Sequence, residues 1–183
     1  MINNNESLID WPSMFMGVAL LASARSKDAK KRNGACVISA DQKIVGVGYN
    51  GLPRGCSDDD PEYWSDNDDD AYLSRHSYIV HAEVNAIREA CRKAGNPHIV
   101  DAVLYSSCEP CPMCYSTAYW ARVGKIFYAA SWTDYADLFD DSNIAKDMSF
   151  PYERRHVALQ QIMQPDAQKV WEEFRRLPDR ARY

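Results

Sequence analysis

No apolar run in this 183-residue chain reaches the roughly 18 residues that a membrane-spanning helix needs. The opening Met1-Ile2-Asn3-Asn4-Asn5-Glu6 has neither the basic start nor the apolar stretch of a secretory signal. The expected compartment is therefore the cytoplasm, with no membrane partner. There the six cysteines are expected as thiols rather than bridges. Nor is there a dense basic stripe of the kind that grips polymeric nucleic acid, so no such partner is expected. No internal repeat and no second domain is visible. With 46% hydrophobic residues the chain is long enough for one domain, residues 1–183, with its own core. An acidic loop is inserted at about 56–75 and a C-terminal tail covers about 165–183.

The net charge of −5 is unevenly spread. Asp58, Asp59, Asp60, Glu62, Asp66, Asp68, Asp69 and Asp70 fall within residues 57–70, a stretch with no base. Elsewhere 21 bases face 18 acids, which leaves room for a small anionic substrate. The acidic stretch is not a calcium loop. Counted from Asp66, position six is Ala71 rather than glycine and position twelve is Ser77 rather than glutamate.

What the chain does have is His81-Ala82-Glu83 followed by Pro110-Cys111-Pro112-Met113-Cys114. H-x-E followed by P-C-x-x-C is a pattern of zinc-dependent nucleobase deaminases. One histidine and two thiolates hold Zn²⁺ and leave a fourth position open. A carboxylate that is not a ligand must then carry protons, and Glu83 stands two residues from the histidine. Val84, Ile87 and Cys91 recur at helical intervals, so a helix is expected to begin near His81. Cys111 and Cys114 are three apart and share one helix face, with a proline suited to the first turn. A helix N-terminus also stabilises thiolates. The competing reading is a structural zinc knuckle with Cys108 as fourth ligand, which leaves the H-A-E triplet without a purpose. Spacing alone leaves Cys108 open as a ligand. Cys36, Cys56 and Cys91 read as small buried hydrophobes.

Along the rest of the chain, Trp11–Ala24 reads as a buried first helix. Residues 25–32 carry five bases and read as a solvated loop, unless Arg25, Ser26 or Arg32 meets a phosphate. Residues 35–39 and 43–48 flank Asp41-Gln42 as a β-hairpin. Gly46-Val47-Gly48-Tyr49-Asn50-Gly51 spells G-x-G-x-x-G, but Leu52-Pro53-Arg54-Gly55 follows instead of a helix, so the dinucleotide reading fails. Asn50 is either a turn former or an amide that recognises a base. The order strand 101–106, helix from Cys111 to about Arg122, strand 125–130 implies parallel pairing with a crossover helix. Asp134, just beyond that last strand, is a substrate contact or a helix N-cap. A last helical segment lies near 170–177.

With these motifs in place, the chain resembles the cytidine deaminase superfamily over nearly its whole length. The first half is similar to deoxycytidylate (dCMP) deaminases through Arg25-Ser26-Lys27-Asp28, Gly34-Ala35-Cys36, Gly48-Tyr49-Asn50-Gly51-Leu52-Pro53, Gly55-Cys56-Ser57-Asp58-Asp59 and His81-Ala82-Glu83. The second half is similar to guanine deaminases through Ser107-Cys108-Glu109-Pro110-Cys111-Pro112-Met113-Cys114, Tyr119-Trp120-Ala121-Arg122, Thr133-Asp134, Phe139-Asp140-Asp141 and the closing Pro178-Asp179 and Tyr183. The resemblance implies an α/β fold, a three-layer α/β/α sandwich with a mixed five-stranded central sheet. It implies Zn²⁺ on His81, Cys111 and Cys114 with Cys108 outside, Glu83 as proton shuttle and Asn50 as a substrate ligand. It also implies Arg25 and Ser26 at a phosphate in the dCMP group, and Asp134 and a partner's C-terminal segment, here with Tyr183, at a purine in the guanine group. It implies a homo-oligomer, a dimer or a hexamer. Hydrolytic deamination of dCMP is the first expectation. Guanine, a related aminopurine, a pterin or a triazine is the alternative substrate. A nucleic-acid editing deaminase and a non-catalytic zinc protein are the alternatives of another class.

Overall fold

The central strands are buried on both faces, and each face collects its own helices. The computed structural model describes residues 8–28, 31–64, 79–138 and 142–179. Its contacts divide the chain into two units, Met1–Ser142 and Asn143–Tyr183.

The first unit opens with α1 (Trp11–Ser23), whose N-cap Asp10 accepts a hydrogen bond from the Ser13 N–H at 2.7 Å. The hairpin β1 (Gly34–Ile38) and β2 (Ile44–Tyr49) follows, then α2 (Ala82–Ala94), β3 (Val103–Cys108), α3 (Pro112–Trp120) and β4 (Lys125–Ala130). The sheet order is β2-β1-β3-β4. β1 runs antiparallel to β2 and β3, whereas β3 and β4 are parallel, joined through α3 as the crossover rule requires. The sheet is thus mixed, as expected, but it has four strands among the described residues rather than five. The fifth strand came with the family resemblance; no hydrophobic alternation in this chain had called for it.

Ala35, Val37 and Leu104 on one face of the sheet pack with Ala82, Ala86, Ile87 and Ala90 of α2 and Ala118 of α3. Cys36, Ile38 and Tyr105 on the other face pack with Phe15 and Ala19 of α1. Three layers result. The glycines that mimicked a dinucleotide motif have a packing role here. A Cβ on Gly46 or Gly48 would run into the backbone oxygens of Ala86 and Ala82, so these glycines let α2 lie directly on β2.

The second unit contains most of α4 (Ser142–Met148), a 3-10 turn at Tyr152–Arg154 and α5 (Gln164–Arg176). α5 starts six residues before the expected segment because Pro165 and Asp166 supply a suitable first turn. Within this unit Val170, Trp171, Phe174 and Leu177 are exposed. Among the described residues no helix is long and apolar enough to cross a membrane. No disulfide joins any of the six cysteines. Cys36 is buried, while Cys56 and Cys91 are only half-buried.

Gly48→Ala should force α2 off the sheet and destabilise the protein by about 1–3 kcal/mol, read as a lowered thermal midpoint. An unchanged midpoint would contradict this packing of α2 on β2.

Candidate active site

Two helix starts meet beside the C-terminal end of β3. His81 is the N-cap of α2 and Cys111 the N-cap of α3, both extended in backbone and neither side chain spent on capping. Cys114 lies one turn further along α3 and Glu83 is the second residue of α2. The capping positions therefore aim three ligand-type atoms at one point. Cys111 Sγ and Cys114 Sγ are 3.6 Å apart, and His81 Nδ1 lies 3.5 Å from the first and 3.4 Å from the second. A tetrahedral Zn²⁺ with Zn–S of about 2.3 Å and Zn–N of about 2.0–2.1 Å requires edges of roughly 3.5–3.8 Å, so this triangle fits the ion. His81, Cys111 and Cys114 form the one metal-binding group found among the described residues, and Cys108 is not in it. The Cys108 thiol instead donates to Asn33 Oδ1 at 3.2 Å.

The electrostatics follow from burial and from the two helix starts. Its contact with Cys114, then that with His81, brings the Cys111 thiol down to about 4 against the cost of burial. Cys114 is pushed up by its contact with the Cys111 sulfur, by burial and by the neighbouring Glu83 carboxylate. Both sulfurs lie in the first turn of α3, where the helix dipole favours negative charge. Glu83 is 2% exposed, and desolvation raises its carboxyl above the ordinary 4.5, although Ser106 and Cys114 donate to it. Ser106 Oγ donates to Glu83 Oε1 at 3.0 Å and Cys114 Sγ to Oε2 at 3.3 Å.

Asn50 braces the entrance. Its Oδ1 accepts from the Ala82 N–H at 3.0 Å, at the start of α2, and its Nδ2 donates to the Lys31 carbonyl at 3.1 Å. An amide has two N–H donors and two acceptor lone pairs, and these two bonds use one of each. Ser26 is buried; its hydroxyl donates to the Asn50 carbonyl at 2.8 Å and accepts from the Asp28 N–H at 3.2 Å. Among the described residues the segment after α1 is therefore only partly solvated. Ser26, Asp28 and Lys31 are buried, whereas Arg25, Lys27 and Arg32 are exposed. Lys27 lies 3.4 Å from both Asp58 and Asp59.

Asp134 is not itself an N-cap: Ser131 caps the 3-10 turn Trp132–Asp134, and Asp134 is the third residue of that turn, closing a capping box with Ser131. Its Oδ2 accepts from the Ser131 N–H and hydroxyl, each at 2.7 Å, and these bonds hold its carboxyl below the ordinary value. Its turn adjoins the cysteine loop. The Trp132 N–H donates to Glu109 Oε2 at 3.1 Å, and the Trp132 indole N–H donates to the Glu109 carbonyl at 3.2 Å. Tyr183, Phe139, Asp140 and Asp141 lie outside the described residues, as do Asp66, Asp68, Asp69 and Asp70 of the acidic loop.

Sequence reasoning passed over Asn33, Ser106, Ser107 and Glu109. Ser107 Oγ accepts from the Gly34 N–H at 3.0 Å, which ties β3 to the start of β1. For Ser106 a signal existed: alternation along β3 puts it on the same inward face as Leu104.

The model of the cytidine and deoxycytidylate deaminase zinc-binding region matches residues 9–130. Deoxycytidylate deaminase of Homo sapiens is 29% identical over 169 residues, 92% of this chain and 88% of the relative. Guanine deaminase of Bacillus subtilis is 42% identical over 105 residues, 57% of this chain and 67% of the relative. The crystal structure of guanine deaminase from Bacillus subtilis superimposes with a TM-score of 0.71 at 30% identity, covering 93% of this chain and 98% of the other.

The raised carboxyl of Glu83 gives a signed pH effect. In metal-free protein the folded state keeps a proton that the unfolded state releases above the ordinary 4.5, so this group lowers stability as pH rises through that value. Glu83→Gln should flatten that part of the slope and raise the neutral-pH thermal midpoint of chelator-treated protein. Parallel slopes for the two proteins would contradict it.

Proposed function

The chain belongs to the zinc-binding cytidine and deoxycytidylate deaminase family of hydrolytic enzymes, and from that membership we propose that it converts dCMP and water to dUMP and ammonia. His81, Cys111 and Cys114 would hold the zinc ion. When bound, the ion supplies Lewis acidity that makes hydroxide available near neutral pH. Glu83 accepts the proton of the attacking water. It then gives a proton to N3 of the cytosine ring and helps the exocyclic nitrogen leave as ammonia. Burial suits Glu83 to this exchange, because a carboxyl with a raised pKa releases and recovers a proton more evenly near neutrality. Asn50 holds the ring or sugar with its remaining N–H and lone pair.

The observation that carries dCMP over a free base is the folding of the basic segment onto Asn50. The Ser26 hydroxyl and the Lys31 carbonyl both bond to Asn50, which holds these two residues of the basic segment against the residue that meets the substrate. A neutral base has no use for cations at that rim, whereas a nucleotide phosphate does. Arg25, exposed on the turn after α1, meets the phosphate. Ser26, its proton already committed to Asn50, serves by bracing the segment.

Guanine is the second reading. It is favoured by the likeness to the guanine deaminase structure over 93% of this chain and by Asp134 at the end of β4, beside the cysteine loop. Against it, both bonds from Ser131 already engage the Asp134 carboxylate.

Ammonia release from zinc-loaded protein, with dCMP and guanine tested side by side, decides between them. Turnover of dCMP is expected, and Arg25→Ala should raise KM for dCMP roughly tenfold or more with a smaller change in kcat. Turnover of guanine alone would overturn the dCMP reading and return the Arg25 segment to a structural role.

A further inference from the structure

Side chains along β3 alternate between the two layers. Leu104 faces the α2–α3 layer, packed among Ala82, Ala86 and Ala118. Two residues on, Ser106 faces the same way and is completely buried. Packing alone favours an apolar residue there, since a buried hydroxyl without a partner costs about 1–3 kcal/mol. Ser106 has a partner: its Oγ donates to Glu83 Oε1 at 3.0 Å. The other carboxylate oxygen, Oε2, lies 3.3 Å from Cys114 Sγ and so faces the His81, Cys111 and Cys114 group. The two oxygens of one carboxyl therefore have separate surroundings.

We infer that Ser106 is the positioning residue for proton transfer, pinning Glu83 Oε1 so that Oε2 alone is turned toward the reacting atoms. This rests on the role of Glu83 in the proposed function. The backbone of α2 sets where Glu83 begins, but its carboxyl lies at the end of a flexible chain, and rotation about the last bond exchanges the two oxygens. A hydrogen bond from the rigid central sheet stops that rotation. Ser106 lies outside the His81, Cys111 and Cys114 group, and its side-chain hydrogen bond goes to Glu83.

The test uses zinc-loaded protein with Ser106→Ala and Ser106→Thr. Ser106→Ala should lower kcat roughly 10- to 100-fold, the size of effect that misplacing a catalytic group produces, with KM and zinc content close to the parent's. Ser106→Thr, which keeps the hydroxyl, should recover most of the rate. Infrared difference spectra against Glu83→Gln assign the Glu83 carboxyl band without any turnover. Ser106→Ala should move that band and Ser106→Thr should return it. An unmoved band overturns the inference, whether or not the protein acts on dCMP. Full activity in Ser106→Ala, an equally slow Ser106→Thr, or a rate loss that merely tracks lost zinc also overturns it. Failure to act on dCMP with the band still moving would instead sink the proposed substrate and leave the role of Ser106 standing.

Discussion

The site depends on two helices starting side by side at the end of one strand. Free N–H groups at a helix start need acceptors or negative charge. At α2 and α3 the capping side chains, His81 and Cys111, are not used for that purpose. Asn50 supplies an acceptor to the first N–H of α2 from a different part of the chain, which releases His81 to face the cysteines. The same geometry sets the two sulfurs in the positive field of α3. Moving either helix by one residue would break the triangle of His81, Cys111 and Cys114. The glycines that seat α2 on β2 therefore belong to the site as much as its ligands do.

A second constraint is the cost of burying a carboxyl. Glu83 lies out of water among Ala82, Ala86 and the β3 strand, and desolvation outweighs the hydrogen bonds it receives. In a structural metal site such a group would be pure cost. In an enzyme that must lift a proton from water and deliver it to a ring, the raised pKa is useful. This trade explains why a destabilising residue occupies a fully buried position in the first turn of a helix.

The clustering of His81, Cys111 and Cys114 was legible in the sequence because metal chemistry is written locally: H-x-E and C-x-x-C carry their geometry within a few residues. The hairpin, the crossover unit and the first helix were legible for the same reason, through alternation and periodicity. What escaped depended on contacts distant along the chain. Asn50 bonds to Ala82 and Lys31, and Cys108 to Asn33, pairings that no local pattern announces. The basic run at 25–32 looked solvated because charge was read without knowing that Ser26, Asp28 and Lys31 fold inward. Asp134 was an even choice between substrate contact and N-cap; Ser131 holds the N-cap position, and Asp134 bonds back to it as the third residue of the turn. The expected fifth strand, carried over from the family, is not among the described residues.

The central claim is that His81, Cys111 and Cys114, without Cys108, hold a zinc ion with one position left for water. X-ray absorption at the zinc edge of the loaded protein tests it most directly. The account predicts two sulfur neighbours at about 2.3 Å and two nitrogen or oxygen neighbours at about 2.0–2.1 Å. Three sulfur neighbours would bring Cys108 into the shell, close the open position and contradict the account.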